Sequence, residues 1–475
     1  MFKSVTDLVR KSLHRKAEDR VEKEFVVEKF DLELTDNMRA LRLATTLADQ
    51  LLSRGMAASD VVHLALGVTT TYCSRKVHID ISHTILTVSQ DRGVDREPLT
   101  IVRTISSRGA DYESVRLLEN LGHEIRAGGL QLDAAERRLD EILARPRLYP
   151  KWVTHASTGG VSLGVVMLYS TNPIVWAIAF IMGYSVNMTL YRMARRGLPS
   201  FYSQVLAGLI ITVIAAAAAL VADIHAIPIL NDVNPTLIVI GGIVLLVAGM
   251  MIVSALQDAI DEYYVTAAAR LLKVIMMTSG IVLGTTIGLY IATRLGVTLA
   301  TTPDRLTLAE INYRYVGAAI LAGSFALGNQ LRIGGVIVVS LVGFLSLYTV
   351  LVMTSLNFGV IPASGIAAVF VGLSATLVLR LLRIPTLATI SAGIIPLVPG
   401  LTLYSGLTYL AQSEPNTDAF DTGIVLILRA ILIAVVVAAG ATLGNLIGRP
   451  ARRRLIHYQN RLPRRRLSRN KRTAS

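Results

Sequence analysis

Between residues 151 and 448 few side chains are able to do chemistry, and most of them gather at two places. Asp258 follows Ser254 by four residues, on one helical face, with Gln257 beside it and Asp261 and Glu262 just beyond. A carboxylate at the edge of an apolar run can take up and release a proton, because burial favours its neutral form. Capped by Arg270 or Lys273, the same carboxylate is an interfacial acid with no such role. At the second place Pro396 and Pro399 precede Gly400, Tyr404 and Ser405. Two prolines remove two backbone donors and interrupt a helix, which lipid tolerates only where the backbone faces protein or a wet cavity. Freed carbonyls there suit an ammonium group and the hydroxyls a polar side chain; the competing reading is a structural kink. Three further residues stand apart. Arg429 lies within the last apolar stretch, either facing a substrate carboxylate or reaching outward toward Asp418 or Asp421. His155, near the start of the first stretch, is read as interfacial. His78-x-Asp80 alternates with Val77, Ile79 and Ile81, a pair open to metal binding or hydrolysis but equally at home on a solvated strand face; no nucleophile is placed beside it.

The elements that hold these residues follow from hydropathy. Of 475 residues 52% are hydrophobic and 17% charged, against about 25% charged in soluble domains, and the mean hydropathy is +0.54. From residue 153 onward ten apolar stretches follow one another: 153–169, 173–191, 201–222, 235–256, 271–293, 315–331, 333–354, 359–379, 386–410 and 423–447. Each is near the ~20 residues that cross a bilayer as a helix. The expected class is an α-helical polytopic membrane protein of ten transmembrane helices with an amino-terminal cytoplasmic α+β domain.

Charge divides the chain in the same way. Residues 1–150 hold 23 basic and 23 acidic side chains, 151–448 hold 13 and 10, and 449–475 hold 11 and none. The basic pI is therefore made mostly by a juxtamembrane tail, which suits anionic lipid headgroups and argues against nucleic acid. Arg192, Arg195, Arg196, Arg270, Lys273, Arg332, Arg380 and Arg383 all fall on one side if residue 150 is inside; the connection with Arg294, Arg305 and Arg314 is the exception. Both termini are expected in the cytoplasm of a multi-pass plasma-membrane protein. The start lacks an apolar run of signal-peptide type. A single cysteine, Cys73, excludes an internal disulfide or a cysteine-based zinc site. With no GxxxxGK[ST] or HExxH motif, no cofactor is implied and energy is expected from a gradient.

Two stretches also resemble each other. GIVLLVAGMMIVSAL at 242–256 shares seven residues with GIIPLVPGLTLYSGL at 393–407, and Pro-Thr-Leu precedes both. These are the fourth and ninth stretches, so the repeating unit is five helices. An odd number inverts the second copy, the 5+5 inverted repeat on which many secondary transporters build alternating access. Two similar packing faces are the plainer explanation. The expected organisation is a charged arm 1–35, an α+β domain 36–150, five-helix units 151–300 and 301–448, and a basic tail 449–475. Within the second region Leu41, Ala44, Leu47, Ala48, Leu51 and Leu52 form a helical stripe. Ser59 is expected to cap a second helix, and strands over 77–82, 84–89 and 99–105 precede helices at 112–125 and 132–143.

The order of LADQLLSRGMAASDV (47–61), VHIDISHTILTVS (77–89), GLPSFYSQVLAG (197–208), SALQDAI (254–260), VTAAAR (265–270) and IIPLVPGLTLYSGL (394–407) resembles the threonine/serine exporter family of actinobacteria, from about residue 36 to 448. The resemblance implies ten spans, a cytoplasmic amino-terminal domain, and efflux of threonine and serine driven by the proton motive force. His78, Asp80, Gln257, Asp258, Pro399 and Gly400 fall on its motif positions, whereas Arg429 and the Asp261-Glu262 pair do not. Asp258 is thus the expected proton-coupling residue, with Ser254, Gln257, Tyr404 and Ser405 as cargo contacts and Pro396, Pro399 and Gly400 as the broken helix. Two alternatives remain open: export of a small dicarboxylate such as succinate, which two-chain members of the wider family resemble, and a membrane-anchored hydrolase using His78 and Asp80. Expected partners are threonine, serine, protons, membrane lipid and a homo-oligomeric copy.

Overall fold

The computed structural model describes residues 36–93, 97–106, 109–222, 235–246, 249–297, 309–377, 382, 384–412, 414 and 417–459. The arm expected over 1–35 and the tail beyond 459 lie outside the described residues.

Helix α1 (Asp36–Ser53) buries Leu41, Ala44, Leu47, Ala48 and Leu51, as the spacing predicts. Helix α2 (Ala58–Tyr72) differs at its start. Ala57, in extended backbone, holds the cap position without a side-chain bond. Ser59 lies inside the helix and donates instead to Asp261 Oδ2 at 2.6 Å. Strands β1 (Val77–Ser82), β2 (Ile85–Gln90) and β3 (Leu99–Thr104) form an antiparallel sheet in that order. Helices α3 (Tyr112–Arg126) and α4 (Leu132–Leu143) follow, α3 capped by Asp111, which accepts from the Ser114 amide at 3.0 Å. One apolar cluster joins these elements, including Leu47, Leu51, Val61, Leu86, Val88, Leu118, Leu121 and Leu139. Arg39 of α1 ties the edge by ion pairs to Asp133 and Glu136 of α4.

The rest is helical: α5 (Lys151–Met167), α6 (Pro173–Arg195), α7 (Ser200–Ala222), α8 (Pro235–Leu246), α9 (Gly249–Ile260), α10 (Tyr264–Arg294), α11 (Ile311–Gly328), α12 (Ile333–Ser355), α13 (Val360–Leu377), α14 (Thr386–Ile394), a 3-10 turn (Ile395–Leu397), α15 (Gly400–Gln412) and α16 (Asp418–Gln459). Five of these, α6, α7, α10, α12 and α16, contain stretches long and apolar enough to cross a membrane. The α14–α15 pair makes a sixth candidate, bent by 49° at its break. The chain is therefore a mostly helical membrane protein. The fourth stretch is described over Pro235–Leu246 and Gly249–Ile260, residues 247 and 248 lying outside the described residues, and the ninth is interrupted at its prolines as the sequence reading expects.

Packing repeats as well. Gly280, Gly284 and Gly288 of α10 lie against Phe201, Val205 and Thr212 of α7. Gly440, Gly444 and Gly448 of α16 lie against Gly365, Val369 and Thr376 of α13, with identical spacing on both helices. A Cβ at Gly284 or Gly444 would fall on the carbonyl of Val205 or Val369, so glycine is what lets each pair close. Helices α5 and α11 run antiparallel against one another, through Gly160 with Ser324, Gly164 with Leu321, and Met167 with Gly317.

Candidate functional site

The first place of interest is the end of α9. Ser254 and Gln257 are half-buried there, and Asp258 is 1% exposed. The turn that follows closes with the Tyr263 amide donating to the Asp258 carbonyl at 2.8 Å and with Glu262 in left-handed backbone at φ 69. This geometry swings α10 back past α9 and sets Arg270 Nη1 2.5 Å from Asp258 Oδ2. The contact is an ion pair and not an aligned hydrogen bond, since neither carboxylate oxygen has an aligned donor. A buried carboxylate is costly unless paired, and Arg270 supplies that pairing.

The α+β region covers this end. Ser59 holds Asp261, and the His83 amide in the β1–β2 turn donates to Thr266 Oγ1 at 3.0 Å. Burial and then the charges of Arg270 and Lys273 hold the His83 imidazole below its usual range. Farther along, the Tyr112 amide donates to the Asn329 carbonyl at 2.8 Å. Glu113 pairs with Arg116 at 2.7 Å and with Arg332 at 2.8 Å. Burial opposes the Glu113 charge, but the two guanidinium groups outweigh it and hold the carboxyl below the usual carboxylate range. Gln330 accepts from the Tyr149 amide at 2.8 Å. The Tyr112 side chain sits in an apolar cluster with Ala326, Leu331, Val339, Ile384, Ala388 and Ala392, so the region also touches α14.

The second place is the break after α14. Pro396 falls in the 3-10 turn, and Val398 is extended. The Leu403 amide donates to the Pro399 carbonyl at 3.0 Å as α15 begins. A proline at a helix start sacrifices only a donor that has no intrahelical partner. Tyr404 and Ser405 are both buried. The Tyr404 hydroxyl donates to Thr285 Oγ1 on α10 at 3.1 Å.

The fourth and ninth stretches share apolar clusters. Tyr404 of α15 belongs to one with Ile243 and Leu246 of α8, and α15 packs on α8. Val253 of α9, its repeat counterpart, belongs to another with Ile394 of α14 and Leu397 of the turn. Pro396, Pro399 and Gly400 form the break between α14 and α15.

Other candidates lie elsewhere. His78 and Asp80 are on the exposed side of β1, opposite Ser89 and Thr87. No group of three His, Cys, Asp or Glu side chains positioned for a metal occurs among the described residues. Arg429 is exposed on the outer surface of α16, which fits the outward-reaching reading and not a substrate contact. His155 is packed inside the protein: it is 5% exposed, its Nδ1 is 3.1 Å from Asn187 Oδ1, and Tyr184 and Tyr191 meet it edge-on. Sequence reasoning also missed Thr285, Thr408 and Gln204. The last is buried on α7 with an unpartnered Oε1. Their only signal is a polar residue inside an apolar stretch, which most membrane helices also show.

Comparison with known proteins gives a consistent answer. A family model described as "Putative threonine/serine exporter" matches residues 42–292, and a second, "Threonine/Serine exporter, ThrE", matches 314–447. The chain is 31% identical over 421 residues to the "Probable threonine/serine exporter" of Mycobacterium tuberculosis, covering 87% of this chain and 77% of that protein. It is also 31% identical over 433 residues to the "Threonine/serine exporter" of Corynebacterium glutamicum, covering 89% and 86%. No solved structure matches. The matched segments span both the α+β region and the helical region, so the chain belongs to the threonine/serine exporter family.

Proposed function

We propose that this protein exports threonine and serine across the cell membrane as a secondary transporter driven by the proton motive force. One observation carries the reading: identity to two proteins named threonine/serine exporters extends over most of all three chains. The family is one of transporters, and the exposed position of His78 and Asp80 lends no support to a hydrolase.

The architecture we infer is two five-helix units, 151–300 and 301–448, inverted relative to each other, with an α+β domain over 36–150. The matching glycine ladders of α7–α10 and α13–α16 and the antiparallel α5–α11 pair support it. Ten spans then require the shorter helices, and α8 with α9, to serve as spans as well. Both termini are cytoplasmic in this reading. It draws support from the contacts of the α+β region, which fall on Asp261, Thr266, Asn329, Gln330 and Arg332. All belong to connections that the basic residues assign to one side. The basic tail then lies on anionic headgroups, at about 1 kcal/mol per basic residue near the surface.

Cargo binds where the fourth and ninth stretches meet, with Ser254, Gln257, Tyr404 and Ser405 as contacts. The Arg270 cap is the arrangement that the interfacial reading expects; we infer that Asp258 nonetheless couples proton movement to this site, its protonation releasing that pair. Its burial makes the neutral form accessible, and the Arg270 pair gives the charged form a stable resting place. The test is efflux from proteoliposomes loaded with labelled threonine, serine or succinate, with and without an imposed proton gradient. Gradient-dependent release of threonine and serine, with succinate retained, is expected. Succinate release alone would discard the amino-acid assignment.

A further inference from the structure

Among the described residues most buried hydroxyls of the membrane helices satisfy themselves locally, and Ser162 donates across to the Gly241 carbonyl on α8 at 3.1 Å. Thr212, Thr278, Thr285, Ser346, Ser364 and Thr376 each donate to a carbonyl three or four residues back in their own helix. That bond is how serine and threonine satisfy themselves in an apolar helix. Ser405 and Thr408, 3% and 4% exposed, do not make it; among the described residues they are the buried serine and threonine hydroxyls without an aligned partner. A buried hydroxyl left unbonded is costly, so two of them one helical turn apart are a specific arrangement.

Their placement suits a ligand. Tyr404, Ser405 and Thr408 share a face of α15, because residues one, three and four apart fall within about 100° of arc. The face points away from α16, since Gly406, on the other side, packs on Gly423 and Ile427. It opens toward α10, where Thr285 accepts a hydrogen bond from the Tyr404 hydroxyl and donates its own to the Val282 carbonyl. Both of those protons are thereby committed. Ser405 keeps a free donor and a free acceptor on this face, and Thr408, whose hydroxyl stands beside the Tyr404 oxygen without an aligned bond, keeps a free acceptor and a donor that a ligand can take over. The surroundings carry no charge: Asp258 is the one fully buried ionisable acid or base among the described Asp, Glu, Lys and Arg side chains, and it lies at the far end of α9.

We propose that Ser405 and Thr408 are specificity-determining residues whose hydroxyls bind the side-chain hydroxyl of the cargo. This rests on the exporter reading and deepens it. A pair that both donates and accepts matches another hydroxyl. A cargo of the same size lacking that group leaves the pair unbonded, and sites built to bond a substrate hydroxyl reject such analogues strongly. Alanine is serine without its hydroxyl, and 2-aminobutyrate is threonine without it.

The experiment compares efflux of labelled threonine and 2-aminobutyrate from proteoliposomes carrying wild type, Thr408→Val, Ser405→Ala and Thr408→Ser. Wild type is expected to prefer threonine. Thr408→Val and Ser405→Ala should each lower threonine efflux roughly tenfold or more while leaving 2-aminobutyrate efflux unchanged or raised, and Thr408→Ser should retain the preference. Two results overturn the proposal: an undiminished threonine preference in Thr408→Val and Ser405→Ala, or an equal loss for both cargoes, which marks a structural role. Wild type moving neither amino acid would overturn the exporter reading itself, a result distinct from both.

Discussion

The α8–α9 and α14–α15 pairs start from one sequence motif and end in different chemistry. Both enter through Pro-Thr-Leu, both carry Gly-Ile and Leu-Val, and both place a glycine at the matching positions 249 and 400. Each second segment shares an apolar cluster with the first segment of the other copy, Val253 with Ile394 and Leu397, and Tyr404 with Ile243 and Leu246. Where they part, each copy gains a different group. The first ends in Asp258, paired to Arg270 beneath the α+β region. The second carries prolines at its break and a face of hydroxyls beyond it. In the proposed reading the two copies share a frame, and divergence at a few positions separates a proton site from a cargo site.

The largest effect that could break this comparison is at the first copy. Arg270→Met leaves a buried carboxylate without its partner, and a loss of about 3–5 kcal/mol is expected in denaturant unfolding in detergent. Adding Asp258→Asn should restore most of it. If the single and double variants are equally unstable, the pair does not anchor this end. Next come the ladders. Gly284→Val and Gly444→Val each drive a side chain into a backbone carbonyl, at a cost of about 1–3 kcal/mol. Similar losses sharpen the equivalence of the two units, and a loss at one alone breaks it. Tyr404→Phe, which removes the bond to Thr285, should cost about 1 kcal/mol. Its counterpart Val253 has no such bond to lose.

The smallest effect is in pH dependence, where the α+β region meets the connections. Glu113 is held below its usual range, so its pairing with Arg332 contributes fully above about pH 4.3 and is lost as pH falls through the lowered value. His83 is held neutral by burial and by Arg270 and Lys273, so its side of the contact weakens as pH falls below about 6.5. Hydrogen exchange at the Tyr112 amide, bonded to Asn329, and at the His83 amide, bonded to Thr266, reads the two separately. The His83 amide should lose protection first on acidification. Simultaneous loss would mean that the region releases as one body.

Much of this was legible in the sequence, because hydropathy and helical spacing are local. The stripe of Leu41 to Leu51, the strands near 77 and 99, and the helical stretches beyond 151 all coincide with elements of the structure. What was not legible depends on partners distant in sequence. Ser59 reads as a cap but bonds Asp261, 202 residues away. The burial of His155 does not show in the sequence because its partner Asn187 lies on another helix. Thr408 looks like any threonine in an apolar helix, and only the absence of its expected backbone bond sets it apart. Asp258 with Arg270 was visible as one of two options; the turn at Glu262 decides for the pair.

The division of labour between the copies is tested most directly by one proteoliposome assay that reads gradient dependence and cargo preference together in Asp258→Asn and Thr408→Val. The account predicts that Asp258→Asn loses the response to a proton gradient while still preferring threonine over 2-aminobutyrate. Thr408→Val should lose the preference while its residual efflux still follows the gradient. If Asp258→Asn keeps full gradient dependence, or if each variant loses both properties together, the two copies do not divide the work and the account is contradicted.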